Sequence, residues 1–141
     1  MIKGQISKSG AAALVAVLLI GGLIVELGIA GIFISYYFSQ SGLGIKLSEE
    51  ALAAARSGIQ DAEIKIIRNK NFIPSPNPYT LIVGERTVQV DVCKDSCAGA
   101  NKYQITALGM ALTKRRQIQA IFYVDDNTGE VKLESEKETA L

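Results

Sequence analysis

The sequence predicts an α+β fold in which a long N-terminal helix, half of it transmembrane, packs on a small antiparallel β-meander. Three observations predict it. An apolar run with one charge covers 11–38, an amphipathic stretch follows over 47–68, and the hydrophobic period changes to two beyond a proline cluster. The expected organisation is a basic leader over 1–10, a membrane-embedded half-helix over 11–38 and a second half-helix over 39–70. A proline-rich connector over 71–79, a sheet over 80–133 and a charged tail over 134–141 complete it.

The leader is short, polar and basic, with Lys3 and Lys8. From Ala11 to Phe38 the only charged side chain is Glu26. A helix of that length would extend about 42 Å at ~1.5 Å per residue. That exceeds the ~30 Å of hydrocarbon in a bilayer, so the segment can span it and project beyond. The next basic residue is Lys46. The positive-inside rule then puts the N-terminus in the cytoplasm and the rest of the chain outside. Tyr36, Tyr37 and Phe38 fall where an interfacial aromatic belt would lie.

A cleaved secretory signal would need a shorter apolar core and a small-residue site such as Gly28-Ile29-Ala30, with Glu26 awkwardly close to the cut. A plain signal anchor is the second reading of the same segment.

Beyond the span, Leu47, Ala51, Leu52, Ala55, Ile59, Ala62 and Ile66 recur at helical spacing. Glu49, Glu50, Arg56, Asp61, Glu63, Lys65 and Arg68 mainly take the other side, and Asp61 and Lys65 form an i, i+4 pair. No proline interrupts 11–73, and Gly42 and Gly44 weaken a helix without stopping it, so a bend or melted turn is expected there at most. Pro74, Pro76 and Pro78 then end the helix in an extended connector.

Alternation marks the strands. Val88, Val90 and Val92 alternate with polar residues, as do Tyr103, Ile105 and Ala107, and Ile118, Ala120, Phe122 and Val124 recur every second position. Thr80 to Val83 is a further short run, with Gly84-Glu85 as a tight turn. Four strands are expected, or five with Val131 to Leu133, followed by a frayed tail. The helix over 47–68 supplies the cover that the apolar sheet face needs.

Composition narrows the chemistry. The 141 residues leave room for one small domain, and a formal charge of +1 argues against a dedicated nucleic-acid binder. The chain has no histidine, which removes imidazole catalysis and most zinc sites. No nucleophile–base pair, paired carboxylates or phosphate-cradling loop stands out, so no enzyme activity and no cofactor are expected. Cys93 and Cys97 are expected to form a local disulfide in an oxidising compartment, in preference to free thiols or a metal site. Asp125, Asp126 and Asn127 form a weak calcium candidate, against an ordinary hairpin turn. Lys114, Arg115 and Arg116 are read as a solvated strand entrance, not as a nucleic-acid site.

With this architecture, the sequence resembles type IV pilins and pseudopilins. Lys8-Ser9-Gly10 followed by Ala11-Ala12-Ala13-Leu14-Val15 looks like a prepilin peptidase site cut between Gly10 and Ala11. The stretch from Ala53 to Ala62 is similar to the alanine-rich, glycine-centred helix of many minor pilins. Tyr103 to Gly109 with Arg115 to Val124 looks like their sheet hairpin. The resemblance implies a structural subunit of an extracellular pilus-like or pseudopilus filament, with methylation of the processed subunit. It also implies other pilin subunits, a prepilin peptidase, an assembly platform and membrane lipid as partners. Ala11 stands where the family usually has phenylalanine, and Val15 where it usually has glutamate; some minor and tip subunits lack that glutamate. Glu26 is a candidate subunit contact inside the membrane, with protonation or hydration near the outer face as the alternative. The competing class is a non-polymerising single-pass protein with a small outer binding domain.

Overall fold

The computed structural model describes residues 6–140. Helix α1 (Ile6–Arg68) precedes five strands, β1 (Tyr79–Val83), β2 (Arg86–Lys94), β3 (Lys102–Ala111), β4 (Lys114–Val124) and β5 (Val131–Thr139). The strands form one antiparallel meander in the order β1-β2-β3-β4-β5. The α+β fold expected from the sequence is thus present. The chain divides into one unit ending at Gly42 and a head starting at Leu43.

In the first unit, the apolar residues of 14–38 lie exposed on the helix surface, with no cover among the described residues. The helix is long and apolar enough to cross a membrane. Helical geometry also continues through Gly42 and Gly44.

In the head, one stripe of the helix meets one face of the sheet. Ala51, Ala54, Ala55, Ile59, Ala62 and Ile66 are buried, while Leu47 and Leu52 are half-buried at the margin. Opposite them lie Val88, Val90 and Val92 of β2, Tyr103, Ile105 and Ala107 of β3, and Ile118, Ala120, Phe122 and Val124 of β4. Each set follows the period-two alternation, because successive side chains point to opposite faces of a strand. The small alanines on the helix let it approach the sheet closely, and glycines extend that approach. A Cβ at Gly58 would lie 2.7 Å from Val88 and 2.9 Å from Val90.

Two hairpin turns show how differently the sequence solves one geometry. Val83 pairs with Arg86 across Gly84-Glu85, and Gly84 has φ +61°. Ala111 pairs with Lys114 across Leu112-Thr113, and Leu112 has φ 51°. A two-residue turn of this kind needs positive φ at its first central position, which glycine adopts freely. For leucine the left-handed region costs about 1–2 kcal/mol.

The last strand departs from expectation. Residues 134–139, expected to fray, continue β5 as far as Thr139, pairing Gln117 with Thr139 and Gln119 with Lys137. An edge strand exposed on both faces needs no apolar alternation, because ladder hydrogen bonds and ion pairs hold it. Lys102 Nζ lies 2.7 Å from Glu134, and Arg116 Nε lies 2.8 Å from Glu138. Its charges also guard the edge against pairing with another chain.

Candidate functional site

The first candidate surface is the apolar part of α1. Between positions 14 and 38 the large apolar side chains are 50–75% exposed. A Cβ placed at Gly21, Gly22, Gly28 or Gly31 would meet nothing within 4 Å. These positions therefore leave room for the backbone of another helix to come close, the packing mode favoured in lipid. Glu26 is exposed among them. Gly22 and Ala30 stand four residues to either side of it, hence on its own face of the helix. Leu23 and Ile29, three residues to either side, share that face, so small and bulky side chains both flank the carboxylate.

The proposed cleavage point lies at the start of this helix. Gly10 is exposed and helical, and Ala11 follows within α1. The side chain of Ala11, and the leader residues 1–5, lie outside the described residues.

Two polar ties fasten the sheet to the head's part of α1, and a third reaches the chain just beyond it. Tyr79 Oη donates to Asp61 Oδ2 at 2.7 Å, and Lys65 Nζ reaches the same oxygen at 2.7 Å while lying 4.1 Å from the centre of the Tyr79 ring. Burial, then the hydrogen bond to Asp61, then its charge, hold the Tyr79 phenol well above its ordinary pKa. Arg86 at the start of β2 pairs with Glu50 on the helix, its Nε donating at 2.8 Å. Tyr103 Oη donates to the Lys70 carbonyl oxygen at 2.7 Å, closing the sheet over the chain leaving the helix. Burial and the nearby Asp95 charge push its pKa up to about 12.

The connector is held by a tie invisible in composition. Asn77 donates from Nδ2 to the Val92 carbonyl at 2.9 Å and accepts from the Val92 amide at 3.1 Å. Its side chain copies a strand's hydrogen-bonding edge in a segment whose prolines supply no amide protons.

Cys93 and Cys97 are joined in a disulfide, as expected. The loop they close is ordered by Asp95, whose Oδ1 accepts from the Asn101 amide at 2.8 Å. The calcium candidate looks different once its hydrogen bonds are counted. Asp125 Oδ1 accepts from the amides of Asn127 at 2.7 Å and Thr128 at 3.1 Å, so this oxygen builds the β4–β5 turn. Those two amide bonds hold the Asp125 carboxyl below its usual range. Among the described residues no three His, Cys, Asp or Glu side chains gather to hold a metal.

The basic triplet is divided. Arg116 is engaged with Glu138, whereas Lys114 and Arg115 are exposed at the β3–β4 turn. That turn sits beside the start of the head's helix, since a Cβ at Gly44 would lie 3.9 Å from Lys114 Cε. The sequence reading missed Gly109, Asn77 and Leu112. Only Gly109 carried a signal, as a glycine at a core-facing position of an alternating strand.

Comparison with protein-family models, curated proteins and solved structures finds no match to this chain.

Proposed function

We propose that this chain is a structural subunit, of minor or tip type, of an extracellular type IV pilus-like or pseudopilus filament, anchored in the membrane before assembly. The observation that carries the reading is the apolar surface of 14–38, exposed on every side, in the same chain as a small folded head. Lipid or other helices cover such a surface favourably, because leaving it in water costs about 25 cal/mol per Å² of apolar area. The reading has the head exported and a prepilin peptidase removing 1–10. The helix then moves from lipid into a core of like helices. Cleavage deletes Lys3 and Lys8, the basic flank that holds the segment in its membrane orientation. The disulfide supports an oxidising location for the head.

Glu26 acts in this scheme as a contact between subunits. A carboxylate in hydrocarbon costs roughly 2.5–3.5 kcal/mol on insertion scales, which a partner on a neighbouring helix offsets. Expression in a pilus-competent host, followed by shearing and immunodetection of the filament fraction, tests the scheme. Wild type is expected in sheared filaments and Glu26→Gln is expected to remain in the membrane. Equal incorporation of both would remove the role of Glu26. Absence of the wild type from filaments would favour the single-pass binding protein.

A further inference from the structure

We propose that the β3–β4 turn is a membrane-surface contact, in which Leu112 enters the interface and Lys114 and Arg115 bind anionic lipid headgroups before assembly. The inference rests on the membrane anchoring proposed above, and adds a second attachment supplied by the head itself.

Leu112 is the first argument. It is 78% exposed at the tip of a hairpin and holds a positive φ of 51°. The equivalent position in the β1–β2 turn is Gly84. A large apolar residue that stabilises nothing inside the head therefore occupies a site where glycine would fit without strain. Its side chain is free to meet something apolar outside the head.

Distance along the chain is the second. Lys114 lies beside Gly44, and Gly44 follows Phe38, the last aromatic of the span, by only six residues. Fully extended, that stretch covers at most about 21 Å, whatever the orientation of the head. As helix it covers about 9 Å. The polar layer on each side of the hydrocarbon is roughly 5–8 Å deep, and charges act over a further ~8 Å at physiological salt. With these residues helical, as they are in α1, the turn is tethered within reach of the headgroups; at full extension it ends a few ångström beyond that zone.

Charge is the third. Lys46, Lys114 and Arg115 are exposed, and none joins an ion pair among the described residues. Of the nearby acids, Glu50 is engaged by Arg86 and Glu138 by Arg116, which leaves Glu49 and Glu85. An exposed leucine flanked by basic residues that are unpaired among the described residues matches an anionic interface, where each such charge favours the docked state by roughly fivefold.

The test exploits the absence of tryptophan from the chain. Leu112→Trp supplies a single reporter in the full-length protein, reconstituted in vesicles of phosphatidylcholine with or without phosphatidylglycerol. Thr113→Trp is a second reporter in case the first perturbs the turn, and Phe38→Trp reports on the span. In anionic vesicles the turn reporters are expected to shift to the blue and to be quenched by brominated lipid rather than by acrylamide. Adding Lys114→Gln and Arg115→Gln should lower the docked-to-free ratio by roughly 25-fold, with a similar loss in neutral vesicles. If both turn reporters are quenched only by acrylamide in both vesicle types while Phe38→Trp is quenched by brominated lipid, the contact is overturned and the anchor stands. If Phe38→Trp also escapes brominated lipid, the anchor fails and the contact fails with it.

Discussion

Gly109 of β3 lies directly against Ala51 of helix α1: a Cβ at position 109 would fall 2.0 Å from the Ala51 carbonyl oxygen and 2.8 Å from the Ala55 amide nitrogen. Backbone meets backbone here, so no side chain can rotate aside. Gly109→Ala must push the helix off the sheet, and overpacking of this kind costs about 3 kcal/mol, the upper part of its usual range. Urea unfolding of the head signal should show that loss. Gly58→Ala should cost less, because the valine side chains it meets can shift and alanine gains roughly 1 kcal/mol of helix propensity.

The Cys93–Cys97 disulfide closes a very short loop, so its stabilisation is modest. Chain-entropy arithmetic for such a loop gives about 2 kcal/mol. Thermal unfolding with and without reductant should differ by roughly that amount. The Cys93→Ser, Cys97→Ser double variant should match the reduced protein and no longer respond to reductant.

Tyr79 and Tyr103 make the head sensitive to alkali. Both phenols have pKa values raised on folding, Tyr103 to about 12 and Tyr79 further. A raised folded-state pKa contributes stability that is complete below the unfolded value near 10. It is lost as pH rises through the folded value. Stability should therefore fall from about pH 10 upward, and tyrosinate absorbance should show the Tyr79 and Tyr103 phenols ionising late. Asp61→Asn should bring Tyr79 part of the way down, because burial, its largest cause, remains.

Leu112→Gly should stabilise the isolated folding equilibrium of the head, since the left-handed strain of about 1–2 kcal/mol disappears and only part of it is returned as glycine's extra chain entropy. A net gain of roughly 1 kcal/mol in urea unfolding is expected. No gain would mean that the turn carries no strain.

What could be read from the sequence follows from which forces leave a periodic trace. The apolar run around Glu26 and the valine alternation of β2 are direct records of a helix apolar enough to cross a membrane and of burial in the core, and both locate their elements. The disulfide was legible because Cys93 and Cys97 are the only cysteines. β5 beyond Leu133 was not legible, since an exposed edge strand is held by ladder bonds and by Glu134 and Glu138, which look like a solvated tail. Gly109 falls on the core face of its alternating strand, and only the helix backbone placed against it shows why a side chain is excluded there. The clasp of Asn77 on Val92 has no period at all.

The central claim is that the chain enters the prepilin pathway, and the mature N-terminus tests it most directly. Co-expression with a prepilin peptidase, followed by intact-mass and N-terminal peptide analysis, is expected to give a chain beginning at Ala11. An uncut chain would contradict the account in favour of a plain membrane anchor, and a cut near Ala30 would make the head a secreted domain.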